Sequence, residues 1–162
     1  MYEGSNSIIR KWLSPKFGMA GWRVDVGNMT GKYGAIDMHD EVMYGIRKAV
    51  EEAKPDAWLV AENADFVAND LAGLGWHGTM NYNGFTKPLW YWINSGDKKI
   101  KDFFGMPAPL PKIDGHAMVE MMRQFAGGIP WRSFMASMIL LGSHDRARFH
   151  TIVGKSLSKN IA

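Results

Sequence analysis

Three carboxylates stand at the ends of apolar runs. Asp25 lies in Gly21-Trp22-Arg23-Val24-Asp25-Val26-Gly27-Asn28, and Glu62 closes Ala57-Trp58-Leu59-Val60-Ala61-Glu62. Asp145 follows Met138-Ile139-Leu140-Leu141-Gly142-Ser143-His144. Side chains alternate along a strand, so Trp22, Val24 and Val26 share one face and Arg23 and Asp25 the other. A charged pair among apolar strand residues is expensive to bury, and it persists where the charges are paired or where they work. Taken alone, Arg23 and Asp25 read as a structural ion pair at a strand end. Three carboxylates at equivalent strand ends, beside Arg23 and His144, describe a functional site.

The elements that must position these groups follow from periodicity. Asp37 starts an amphipathic helix running to about Lys54, with Val42, Ile46, Ala49, Val50 and Ala53 on one face and Glu41, Lys48, Glu51 and Glu52 largely opposite. Pro55 closes it. A strand from about Met19 to Val26 precedes this helix and the Ala57–Glu62 run follows it. Together they form a parallel strand–helix–strand unit with a right-handed crossover. Thr79 to Tyr82 is a weaker third strand, and Met138 to Gly142 a fourth. Asp25 and Glu62 are one strand–helix unit apart, and Glu62 and Asp145 about two. Four parallel strands then put all three acids at one carboxyl edge, where α/β proteins build their sites.

The rest of the chain is read more coarsely. Ser7 caps a short helix through Ile8, Ile9, Trp12 and Leu13, which Pro15 stops. Asn28 to Gly34 is a loop. Its Asn28-Met29-Thr30 matches a glycosylation acceptor that is too short a motif to weigh. Asn63 to Gly78 is a second loop, with His77 at its surface. Pro88 opens a short aromatic helix through Ile93, and residues 105–111 form a proline-rich loop. Asp114 caps a helix whose Met118, Met121 and Met122 read as core filler, ended by Gly127-Gly128. One further helix begins at Pro130, and another starts after Arg146.

The chain has 162 residues, enough for a real core, and its 46% hydrophobic and 22% charged residues are those of a soluble globular protein. Nineteen Lys and Arg against sixteen Asp and Glu give a formal charge of +3, scattered without a basic arm, so no nucleic-acid partner is expected. There is no cysteine, which excludes disulfides and thiolate metal sites. The longest apolar run, Phe134 to Gly142, is too short to span a bilayer. Residues Met1 to Ser5 lack signal-peptide character, which favours a cytoplasmic location. Seven Trp, five Tyr and eight Phe suit a dense core or a sugar-binding cleft.

At the acids the chain resembles the alpha-amylase family of retaining glycoside hydrolases. Residues 21–28 are similar to its strand-four motif, Leu59-Val60-Ala61-Glu62-Asn63 to its strand-five motif, and Leu140 to Arg148 to its strand-seven motif. The Gly-Ser-His-Asp form at 142–145 and Met80-Asn81-Tyr82 resemble the neopullulanase and cyclomaltodextrinase-like branch. The resemblance implies an α/β fold, a partial TIM barrel covering roughly strands four to seven. Residues 1–162 are then expected to be a fragment of one catalytic barrel domain, without strands one to three and eight.

The roles implied by the resemblance are specific. Asp25 is the nucleophile, Arg23 holds it, and Glu62 is the general acid and then base. Asp145 and His144 hold hydroxyls of the sugar at the cleavage site. Asn28, Trp76, Tyr82 and Arg148 join the substrate-binding set, with Trp22 another candidate for stacking on sugar and Trp58 and Trp92 assigned to the core. Met29 stands where many relatives carry a polar residue, which leaves linkage preference open. The implied partner is an α-glucan or oligosaccharide, cleaved by hydrolysis or transglycosylation through a covalent glycosyl-enzyme. No cofactor or metal is expected within the chain, calcium being assigned to the longer protein, and open barrel edges suggest dimer formation. Two other classes compete: a non-catalytic carbohydrate-binding barrel fragment, and a metal-dependent phosphohydrolase built on His39-Asp40 and His144-Asp145.

Overall fold

A computed structural model describes residues 2–63, 67–97 and 109–154. In chain order the elements are α1 (Ile8–Leu13), β1 (Gly21–Val24), a 3₁₀ turn (Gly27–Met29), β2 (Lys32–Tyr33), β3 (Ile36–Asp37), α2 (His39–Ala53) and β4 (Trp58–Ala61). They continue with α3 (Ala68–Leu71), β5 (Gly78–Thr79), a π turn (Tyr82–Thr86), α4 (Lys87–Ile93), α5 (Gly115–Gly127), α6 (Trp131–Met135) and α7 (Phe149–Val153). Two compact units emerge: residues 1–80 with 128–138, and residues 81–127 with 139–162. Among the described residues no helix is long and apolar enough to cross a membrane.

The first unit is built on the expected parallel strands. β1 pairs with β4 from Gly21↔Trp58 to Val24↔Ala61, and β4 pairs with β5 at Val60↔Gly78 and Ala61↔Thr79. Helix α2 makes the crossover between β1 and β4. Its buried side chains are His39, Met43, Ile46, Ala49 and Val50, so the expected Ile46, Ala49 and Val50 form the buried stripe, and Val42 and Ala53 lie half-buried at its edge. The helix begins two residues later than expected because Ile36–Asp37 is spent on an antiparallel pairing with Lys32–Tyr33. Asp37 still serves the helix start, accepting from the His39 N–H at 3.0 Å, and that contact lowers its carboxyl below the ordinary value. Asp40 and Glu41 complement the positive end of the helix, and the extended backbone of Lys54, before Pro55, stops it. Leu59, Val60 and Ala61 are almost wholly buried. Such side chains contribute about 1.5–3 kcal/mol each for residues of Val or Leu size.

The second unit holds α4, α5 and α7 with the π turn. Trp90 and Ile152 are fully buried at its centre, with Tyr91, Leu110, Ala147 and Phe149 packed around them. Helix α5 starts as expected, with Asp114 Oδ1 accepting from the Ala117 N–H at 2.8 Å. Its methionines are not core filler: none of its residues is fully buried, and Met118, Met121 and Met122 are half-buried.

The fourth strand is the largest correction. Only Met138 pairs, in a single parallel bridge to Met80, and residues 139–142 form no strand. The reason lies in the carbonyls. Leu140 O accepts from Thr86 Oγ1 at 2.7 Å and Leu141 O from Trp90 Nε1 at 2.8 Å, so side chains take the places of ladder donors. Ile139 and Leu141 face outward. The proline-rich stretch falls largely outside the described residues, as does the continuation of the last helix beyond Gly154.

Candidate active site

Strand β1 ends at Val24, so Asp25 sits just past the strand rather than on it. The cause is Val26, whose φ of +43° turns the chain into the left-handed region, unfavourable for a β-branched residue by about 1–3 kcal/mol. That turn aims two backbone donors at Glu62: the Val26 N–H reaches Glu62 Oε2 at 3.1 Å, and the Gly27 N–H reaches Glu62 O at 2.7 Å. The Glu62 N–H donates in turn to Val24 O at 2.8 Å. Strain in one strand end thus fixes the acid on the next.

Arg23 bridges the two carboxylates. Its Nη1 pairs with Asp25 Oδ1 and its Nη2 lies 3.0 Å from Glu62 Oε2, while Nε meets Met80 Sδ at 3.2 Å. The environments of the two acids differ sharply. Asp25 presents 71% of its side chain to solvent, Glu62 only 9%. Glu62 Oε2 is held by the guanidinium and the Val26 N–H, whereas the buried Oε1 has no hydrogen-bond partner among the described residues. Asn28 lies half-buried in the 3₁₀ turn that follows Asp25.

In the second unit, His144 and Asp145 are neighbours in space as well as in sequence, with Nε2 and Oδ2 3.2 Å apart. Asp145 is oriented through its backbone N–H, which donates to Ser143 Oγ at 3.2 Å, and Tyr82 O–H donates to the same oxygen at 2.8 Å. The guanidinium of Arg146 lies 4.3 Å from the centre of the Tyr82 ring. Arg146 is buried, and Arg148 is exposed at the start of α7. Arg146 was missed as a candidate, although its place beside Asp145 was a signal.

The aromatic expectations are reversed by packing. Trp76 and Tyr82, expected to offer faces to sugar, are 1% and 0% exposed; the Trp76 ring stands edge-on to His39. Trp58 and Trp92, expected in the core, are exposed. Trp58 Nε1 donates to Ala136 O at 2.7 Å, and Trp22 Nε1 donates to Ile9 O at 3.4 Å. His77 is no surface residue: its Nδ1 accepts from the Leu59 N–H at 2.9 Å. His39 turns away from Asp40 to Thr30 and Asp70, so the His39-Asp40 doublet does not act as a unit. Among the described residues no cluster of three or more His, Cys, Asp or Glu could hold a metal.

Comparison with known proteins shows what the chain resembles. No protein-family model matches the chain. An amylopullulanase of Thermoanaerobacter thermohydrosulfuricus is 31% identical over 153 residues, covering 92% of this chain and 9% of that protein. The debranching enzyme of Nostoc punctiforme superposes with a TM-score of 0.75 at 22% identity, over 94% of this chain and 29% of that one. The cyclic alpha-maltosyl-(1→6)-maltose hydrolase of Arthrobacter globiformis gives 0.69 at 24% identity, over 90% and 27%. The fold is the α/β architecture of part of a TIM barrel. Along nearly its whole length the chain is similar to amylopullulanases and to debranching and maltose-hydrolysing enzymes, in line with its resemblance to the alpha-amylase family of glycoside hydrolases. It spans about a tenth of the length of the amylopullulanases it matches.

Proposed function

We propose that this chain carries the nucleophile and the acid–base of a retaining enzyme that cleaves α-glucosidic bonds in starch-like glucans, pullulan among them. The observation that carries the reading is Arg23, one guanidinium paired with both Asp25 and Glu62. Retaining chemistry uses carboxyls about 5–5.5 Å apart, and a guanidinium paired with both keeps Asp25 and Glu62 close to one another. Their contrasting exposure suits different tasks. Asp25, open and paired with a cation, attacks the anomeric carbon. Glu62, buried with Oε1 unengaged, gives its proton to the departing glycosidic oxygen.

In the first step a bond forms between an Asp25 carboxylate oxygen and the anomeric carbon as the glycosidic C–O bond breaks, with the proton passing from Glu62 to the leaving sugar. In the second, Glu62 takes a proton from water as that oxygen attacks the same carbon and releases Asp25. A sugar hydroxyl in place of water gives transglycosylation. The resemblance assigns Asp145, His144, Asn28 and Arg148 to contacts with sugar hydroxyls. The amylopullulanase, debranching and maltose-hydrolase names of the relatives support an α-1,4- and α-1,6-linked glucan as substrate.

The test is intact mass spectrometry after incubation with a fluorinated α-glucosyl fluoride that traps the glycosyl-enzyme. The expected result is a gain of one sugar that disappears in Asp25→Asn. Hydrolysis of pullulan without an adduct under any trapping condition overturns the covalent mechanism. Binding of glucan with neither adduct nor cleavage would instead make this a carbohydrate-binding segment.

A further inference from the structure

We infer that His39, Asp70 and Asn63 form a buried positioning chain for Glu62. The inference rests on Glu62 being the acid–base. Asn63 Nδ2 donates to Asp70 Oδ2 at 2.7 Å, and Asp70 Oδ1 lies 3.2 Å from His39 Nε2. On its other side His39 Nδ1 is 2.8 Å from Thr30 O, in the loop that follows Asp25. All three side chains are buried: Asn63 is 3% exposed, and His39 and Asp70 8% each. The run therefore links the segment after one carboxylate to the residue after the other.

Three features say why such a link is needed. The chain leaves the sheet at Glu62, since β4 ends at Ala61. From the β1 side Glu62 is held by Val24, Val26 and Gly27. On its far side the next residue is tied twice, by the Asn63 side chain to Asp70 and by Thr79 Oγ1 donating to Asn63 O at 2.9 Å. Asp70 is itself anchored, its carbonyl accepting from the Trp76 N–H at 2.8 Å. A buried carboxylate is costly unless it is paired and hydrogen-bonded, so Asp70 binds its partners strongly and passes that rigidity to Asn63. Misplacing an acid by about 1 Å costs on the order of a hundredfold in rate, so the anchoring acts on catalysis as well as on folding.

The test separates positioning from general stability by the leaving group. A glucan leaving group needs a proton from Glu62, whereas fluoride departs with little assistance. Asn63→Ala is expected to lower pullulan hydrolysis by about tenfold to a hundredfold, chiefly in kcat, while adduct formation with the fluorinated glucosyl fluoride stays within about threefold. Asp70→Asn, nearly isosteric, guards against a folding failure in the first variant and is expected to show the same split. Glu62→Gln sets the full size of the effect. An equal fall on both substrates, or no fall on either, overturns the positioning role while leaving the glycosidase reading intact. A protein whose wild type neither forms the adduct nor cleaves pullulan overturns that reading itself, and this inference with it.

Discussion

Gly27 donates its backbone N–H to the carbonyl of Glu62 at 2.7 Å, and a β-carbon at position 27 would stand 2.7 Å from Cβ of Ala61 and 3.3 Å from that same carbonyl. The two acid-bearing chain ends can approach this closely only over a residue without a side chain. Gly27→Ala must push β1 and β4 apart at the site. We expect a loss of about 1–3 kcal/mol in urea unfolding and a fall of about tenfold or more in pullulan hydrolysis. Unchanged activity would mean that the spacing of these strand ends does not set the geometry of the acids.

The imidazole of His77 stands in for a strand partner. Its Nδ1 accepts from the Leu59 N–H and so must carry no proton, and its own backbone N–H donates to Leu59 O at 3.0 Å. Burial first, and then the charge of Arg47, hold it below its ordinary value of 6.5, with Glu51 pulling the other way. The folded state therefore binds protons less readily than the unfolded one. Its contribution is fully present above about pH 6.5 and is lost as pH falls through the lowered folded value. His77→Asn keeps an acceptor for Leu59 and removes the titration. Urea midpoints at pH 7.5 and 5.0 should fall less between the two in that variant than in wild type. Equal falls would show that the acid sensitivity comes from other groups.

Arg146 over the Tyr82 ring is a packed contact as well as a charged one. Arg146→Met keeps the bulk and removes the cation, and we expect it to cost about 1–2 kcal/mol. Arg146→Lys should recover part of that loss. Tyr82→Phe removes the hydroxyl that reaches Ser143 and should cost about 1 kcal/mol. Thermal unfolding of the single and double variants measures the coupling; a double variant that simply sums the two losses would show that the hydroxyl and the cation act independently.

Much of the framework was legible in the residues themselves. The repeat of apolar positions at helical spacing, an acidic first turn and Pro55 defined α2, and its misjudged start came from one local competition. Ile36 and Asp37 pair with Tyr33 and Lys32, a turn signal hidden in a stretch read as plain loop. β1 and β4 were legible because buried parallel strands are short continuous apolar runs. The run at 138–142 has the same composition and failed as a strand. Apolar character says that a segment is wanted by a core, and not that a neighbouring strand presents free donors and acceptors.

The site divides along the same line. The types and order of Arg23, Asp25, Glu62, His144 and Asp145 were local facts, as was their likeness to a known family. Contacts between residues distant in sequence were not. Neither the burial of Trp76 and Tyr82 nor the exposure of Trp58 could be read off, because one large apolar ring is like another until the packing around it is known. The chain from Thr30 through His39 and Asp70 to Asn63 was equally hidden, since its members come from separate turns and helices. The amino-acid sequence by itself determined which groups could do chemistry and which elements carry them, because propensity and periodicity act between near neighbours. Only the tertiary structure decided that one arginine serves two carboxylates and that Val26 is bent out of its strand toward Glu62, because burial and hydrogen bonding are settled where distant segments meet.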